Sequence, residues 1–200
     1  MDRTVIRRSP EAQAFRAERV IAAASKLASA GGYDAVQMRE VAKLAGVSLS
    51  TLYRYYPSKD SLIRAVESGQ LARLRDDVIA RPPKGRSAGT RAAEVFIRAF
   101  HAMERDRGYA HAIMCTQEVP RPLDSPQAQR EAPEENDFVD IAAFAAWGPD
   151  HRTAETEYRA LHMLESLWTS SVIHWLNGDL SRGYVEDRLR FAASRLLEAD

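Results

Sequence analysis

Residues 36–59 read VQMREVAKLAGVSLSTLYRYYPSK, and the fold turns on this stretch. Met38, Val41, Ala42 and Ala45 recur at helical spacing, so the first half is an amphipathic helix. Gly46 interrupts it, because a residue without Cβ takes the left-handed conformation that a tight turn between helices requires. Ser48 is an N-cap candidate, and Leu52 and Tyr56 give the next, short helix its buried side. Pro57 ends that helix, and Ser58 caps another that begins at Lys59. Helix, glycine turn and short helix within about twenty residues outline a helix-turn-helix. An ordinary helical hairpin shares the outline, so the surface has to decide. Around its buried residues the second helix carries Ser48, Ser50, Thr51, Tyr53, Arg54 and Tyr55, all hydrogen-bonding groups, and no acid. That surface suits phosphates and base edges.

The charge distribution agrees. The 200-residue chain has 28 Lys/Arg and 28 Asp/Glu, a net charge of zero, which by itself speaks against nucleic acid. Residues 1–64, however, hold eleven Lys/Arg against six Asp/Glu, and residues 65–200 seventeen against twenty-two. A basic module on an acidic body attracts phosphate at one end only.

Outward from that stretch every periodic segment is helical. Residues 1–10 read as a basic arm with Arg3, Arg7 and Arg8. A helix spans 11–30, with Phe15, Val20, Ala24, Leu27 and Ala28 on one side, and Gly31-Gly32 stop it. The helix from Ser58 to Ala80 starts in the DNA-binding unit and ends in the second domain. A loop follows to Gly89, then a helix from Thr90 to Arg107, then a short apolar piece, 109–115. The segment EVPRPLDSPQAQREAP reads as an irregular connection, and helix resumes from Pro133 to Trp147. In the helix 153–177 the stripe Leu161, Leu164, Trp168, Ser171 and Trp175 is wide enough to meet both its own domain and a partner. The last helix, Arg182 to Leu197, repeats the pattern with Val185, Leu189, Ala192 and Leu196. The expected fold is all-α: a three-helix DNA-binding domain (1–64) and a helical ligand-binding and dimerisation domain (65–200).

The residues GGYDAVQMREVAKLAGVSLSTLYRYYPSKDSL resemble the DNA-binding region of the TetR family of bacterial transcriptional repressors, with TLYRYYPSK the most specific part. One departure is Gln37, where the family usually has Thr or Ser ahead of the helix. Gln37 together with TLYRY, and LWTSSVIHWL near the C-terminus, is similar to the branch that regulates cholesterol catabolism in actinobacteria. The resemblance implies a dimer on a pseudo-palindromic operator. It also implies a helical cavity for an effector, in this branch a steroid, an acyl-CoA or a similar apolar guest.

Residue roles follow. In a helix-turn-helix the start of the second helix lies nearest the base edges, which nominates Ser48, Leu49, Ser50 and Thr51. Gln37, Tyr53, Tyr55 and Lys59 suit phosphates, and Arg39 and Arg54 either task. Phe96, Phe100, Met103, Met114, Phe138, Phe144, Trp147 and Trp168 are each core by default but as a group suit a large flat apolar guest. For a dimer interface the nominated residues are Leu161, Leu164, Trp168, Ser171, Trp175, Val185, Leu189 and Leu196.

Other chemistry finds little support. The histidines lack the spacing of a helical zinc pair, and Cys115 is the sole cysteine, so neither a metal, nor a cofactor, nor a disulfide is expected. There is no Gly-rich phosphate loop and no GxSxG, which disfavours an enzyme; an all-α interaction protein is the other alternative, disfavoured by the charge split. No apolar run reaches the ~18 residues of a membrane span, and the N-terminus lacks a signal-peptide core, so the expected location is the cytoplasm.

Overall fold

The computed structural model describes residues 10–117 and 138–198, the side chains from residue 15 onward. The described residues form helices and no strand: α1 (Pro10–Ala35), α2 (Met38–Ala45), α3 (Leu49–Tyr55), α4 (Lys59–Ala80), α5 (Ala88–Arg105), α6 (Arg107–Gln117), α7 (Phe138–Trp147), α8 (Glu155–Asn177) and α9 (Arg182–Leu197). The expected basic arm before Pro10, the proline-rich connection and the helix start at 133–137 lie outside the described residues.

Local signals explain most boundaries. Gly31 and Gly32 leave helical geometry, Gly32 at φ +70°, so a single turn ending at Ala35 follows the first long helix. Gly46 adopts φ +63°, and the amides of Gly46 and Val47 return to the carbonyls of Lys43 and Ala42 at 3.2 and 3.0 Å, closing α2. Ser58 and Ser61 cap α4 reciprocally, at 3.0 and 3.1 Å. Two boundaries differ from the sequence reading. Ser87 caps α5 through the Thr90 amide (3.2 Å), so the helix starts two residues early. Asp106 then splits what reads as one helix to Arg107: it caps α6 by accepting from the Tyr109 amide at 2.8 Å.

In the C-terminal body α5 runs through the middle, packed by α7, α8 and α9. Phe96, Phe100, Leu161, Leu164 and Leu189 are fully buried there, each worth roughly 1.5–3 kcal/mol relative to exposure. Trp168 packs edge-on to Phe138 (5.0 Å between ring centres), and its indole N–H donates to the Phe96 carbonyl at 2.9 Å. Asp77 near the end of α4 pairs with Arg98 of α5 at 3.2 Å, fastening that end to the body.

The N-terminal unit is α1, α2, α3 and the start of α4, but α1 is shared. It packs on α2 and α4 and also along α6. Gly108 permits the close approach, since a Cβ there would lie 2.5 Å from the Ser29 carbonyl. Phe15, expected on the buried side of α1, is 61% exposed. It lies near the beginning of the helix, beyond the span that α2 and α4 cover.

Candidate nucleic-acid interface

Position on α3 separates the nominated DNA contacts into groups with different freedom. Ser48 is exposed yet committed: its hydroxyl accepts from the Thr51 amide (3.1 Å) and lies 2.7 Å from the Thr51 hydroxyl and 3.1 Å from that of Ser50. The three hydroxyls form one cluster at the head of the helix. Leu49 is half-buried against the core, so only part of its side chain faces outward. Leu52 is the single fully buried residue of α3 and fixes the rotation of the helix, which turns Ser50, Tyr53 and Arg54 to solvent.

The flanking groups are ordered by rings and caps. Arg54 lies over the ring of Tyr55, its guanidinium 5.0 Å from the ring centre. Among the described residues no acid pairs with Arg39 or Arg54. Glu40, next to Arg39, sits 4.0 Å from Lys43 on an exposed surface instead, and Asp60, the acid nearest Arg54 in sequence, accepts from the Tyr33 hydroxyl. Gln37 is exposed at the N-cap of α2, but its side chain makes no capping bond, so the amide is available for other contacts.

Lys59 occupies the first position of α4, where the leading backbone N–H groups have no intrahelical acceptor. Its ammonium is held 3.6 Å from the centre of the Tyr33 ring. The Tyr33 hydroxyl in turn donates to Asp60 at 2.6 Å, a bond that pushes the phenol up to about 12. The Tyr33 backbone amide donates to His111 Nδ1 of α6 at 3.3 Å. The sequence reading did not single out Tyr33. An aromatic directly after a double glycine, in a segment that must meet the start of α4, is the available signal.

An outward cluster of hydroxyls, two tyrosines, two arginines and a helix N-terminus with its lysine, free of acids on α3, is a surface for a phosphodiester backbone. Residues 20–66 match the family described as bacterial regulatory proteins, tetR family. The KstR transcriptional repressor of Rhodococcus jostii is 31% identical over 191 residues, covering 94% of this chain and 86% of that protein. This chain belongs to the TetR family. The KstR repressor of Mycobacterium tuberculosis is likewise 31% identical, over 95% of this chain and 84% of its own length. A TetR transcriptional regulator from Rhodococcus sp. RHA1 superposes with a TM-score of 0.82 at 32% identity, covering 92% of this chain and 97% of that one. FadR of Bacillus subtilis, solved with stearoyl-CoA, shares the fold at a TM-score of 0.59 and 15% identity, over 90% and 97% of the two chains. TetR regulators bind operator DNA and dimerise. They are transcriptional regulators and not enzymes.

The residues nominated for an effector and for a dimer are placed less simply. Phe96, Phe138 and Trp168 come together, with Phe96 and Phe138 ring centres 4.6 Å apart, while Phe100 meets Trp175 at 5.4 Å. Met103 and Met114 are buried; Phe144 and Trp147 are half-buried, and Trp147 stacks on His151 at 5.2 Å. Of the interface residues, Leu161, Leu164, Ser171, Val185 and Leu189 are completely covered within one chain, and Trp168 and Trp175 nearly so. They are covered by the neighbouring helices of their own chain, because a wide stripe on α8 and α9 must first close its own domain. The apolar residues left outside on these helices are Met163 (62% exposed), Tyr184 (58%) and Phe191 (65%), beside half-buried Leu167, Ile173 and Leu196. A polar groove of about 570 Å³ runs along α8 past Glu165, Ser166, Thr169, Ser170 and His174 to Gln117 of α6.

Arg98 and Arg107 are engaged internally: Arg98 by Asp77 and Glu94, Arg107 over Trp175 and on the Leu176 carbonyl at 2.9 Å. Cys115 lies 3.8 Å from His111, one helical turn away, a pairing the sequence reading passed over. Among the described residues no group of three or more His, Cys, Asp or Glu could hold a metal, and no helix is long and apolar enough to cross a membrane.

Proposed function

We infer that this repressor acts as a homodimer on a pseudo-palindromic operator, each α3 in one major groove, and that an apolar effector releases it. In this reading residues 1–64 are the DNA-binding domain and 65–200 the ligand-binding and dimerisation domain. The observation that carries the DNA assignment is the acid-free outer face of α3 continued by Lys59 at the head of α4. Ser50, Thr51 and the outer part of Leu49 read base edges, and Ser48 holds the helix head that presents them. Gln37, Tyr53, Tyr55 and Lys59 set register on phosphates, and Arg39 and Arg54 serve either purpose. The two half-sites lie about one helical turn apart or slightly more.

Dimerisation uses α8 and α9 through their outer faces, with Met163, Leu167, Ile173, Tyr184 and Phe191 meeting a second copy across a two-fold. Similarity to KstR repressors and the FadR fold relative with its stearoyl-CoA support an apolar effector, a steroid-like compound or a long acyl-CoA. Phe96, Phe100, Phe138, Phe144 and Trp168 supply its walls. Release requires differential affinity: moving the protein from mostly bound to mostly free takes about 5 kcal/mol of preference for the DNA-incompetent state.

The test is a gel shift on the protein's own promoter DNA over a salt series. A specific complex that weakens steeply with salt is expected, and the effector screen is scored by its release. A shift equal on unrelated DNA would leave a generic polyanion binder.

A further inference from the structure

The side chain that the fold explains least is Tyr109. It is 4% exposed, and among the described residues its hydroxyl is the only buried side-chain polar atom without a hydrogen-bond partner. Phenylalanine would fill the same volume without burying an unpaired hydroxyl, so the oxygen needs a reason. Its position is fixed from the backbone: the Tyr109 amide is bonded to Asp106 at 2.8 Å, and the adjacent Gly108 sits against the Ala28 and Ser29 carbonyls.

Tyr109 lies on α6, which packs on α1, α4, α5 and α8, and the charges that act on its hydroxyl include Glu67 and Arg73 of α4 and Asp106 at the head of α6. Burial first, then Glu67, drive the phenol far above its ordinary range, which keeps it protonated. Glu67 is itself occupied by the Gln117 amide at 3.0 Å. A buried, protonated phenol without a partner is a hydrogen-bond donor awaiting an acceptor. With two carboxylates and one guanidinium around it, a neutral acceptor is favoured over an anion.

We propose that the Tyr109 hydroxyl is the polar anchor of the effector site, donating to a ketone or ester-type carbonyl on an otherwise apolar guest lodged against α6, which packs on α4, α5 and α8. This rests on the effector reading above and adds to it the chemistry that selects among apolar guests. A site built around one buried donor rejects a guest that lacks the acceptor, because the donor then stays unpaired.

The experiment uses the full-length protein and Tyr109→Phe. Dissociation constants are measured for three matched ketone and hydrocarbon pairs, fluorenone with fluorene, decalone with decalin, and dodecanone with dodecane, and for dodecanoate. In the native protein each ketone that fits should bind several-fold to tenfold tighter than its hydrocarbon, the span of one buried hydrogen bond. In Tyr109→Phe that advantage should vanish while hydrocarbon binding stays. The unliganded variant should melt no lower than the native protein, since it loses an unpaired hydroxyl. A ketone advantage that survives in the variant overturns the proposal, as does tighter binding of dodecanoate than of dodecanone. A lower melting temperature overturns it too, because the hydroxyl then has a partner already. Hydrocarbons that bind as well as ketones sink the Tyr109 anchor but leave the effector reading; no binding by any probe sinks both.

Discussion

The outer face of α3 and the outer face of α8 are both helix surfaces that the chain leaves in solvent, yet they come about differently. On α3 a single buried residue, Leu52, fixes the rotation, the cap at Ser48 fixes its start, and the Tyr56 amide, returned to the Leu52 carbonyl, fixes its end. Ser50, Tyr53, Arg54 and Tyr55 then fall outside by geometry. On α8 the apolar stripe is so wide that sequence spacing allows several rotations, and the choice is made by α5 and α9. The short helix is determined by its own residues, the long one by its neighbours.

The strongest way to test that contrast is to place charge on the two sides of α8. Trp168→Glu buries a carboxylate where the indole bonds the Phe96 carbonyl, and should unfold the C-terminal body; even Trp168→Ala should cost about 3–5 kcal/mol in denaturant titration. Met163→Glu and Phe191→Glu, on exposed positions, should leave the helical circular dichroism intact and give monomers in sedimentation. If Trp168→Glu yields folded monomers while Phe191→Glu stays dimeric, the assignment of faces is reversed.

Gly46→Ala attacks the turn itself. At φ +63°, with the Arg19 guanidinium against the site, an alanine should cost roughly 1–2 kcal/mol and weaken DNA binding with it. A neutral result in thermal unfolding would mean that the turn relaxes. Next in size, Ser48→Ala removes the cap of α3 and should cost about 1 kcal/mol, lowering affinity for all sequences alike. Ser50→Ala and Thr51→Ala should instead alter base preference, and Lys59→Ala should reduce the logarithmic salt slope by about 1. A selection experiment in which Ser48→Ala changes preference more than Thr51→Ala would place the cap among the base-reading groups.

The smallest effect sits where α9 meets α5. His101 (2.9 Å), then Arg182 and Arg190, hold the Glu186 carboxyl down to about 2, against an ordinary 4.5. A lowered folded-state value stabilises above the ordinary range and is lost as pH falls. Glu186→Gln should therefore lower the melting temperature at neutral pH and flatten its fall between pH 4.5 and 2, where the two proteins converge. An unchanged acid limb would show that the cluster contributes nothing to folding.

These cases also explain what was legible in the sequence. Caps, glycines and prolines act within a few residues, so Gly46, Ser48, Ser58 and the whole of α9 are readable from the chain. Asp106 is a cap in the same sense, but it interrupts an unbroken apolar period, and period outweighed punctuation. The inward turn of Leu161, Leu164, Val185 and Leu189 is decided by the helices packed around α8 and α9, which no local pattern reports. Tyr33 and Tyr109 escape for a related reason: their partners lie on other helices, from Asp60 and Lys59 to His111 for one, and nowhere among the described residues for the other's hydroxyl.

Tyr33 carries a consequence for how the junction between reading head and body can be watched. Its backbone hydrogen is given to a side chain of α6, not to its own helix. Protection of that one amide against deuterium therefore lasts only while α6 stays seated on the end of α1. Its exchange rate is a clock for their separation. Operator DNA that slowed the clock, or an effector that hastened it, would time the switch at a single atom.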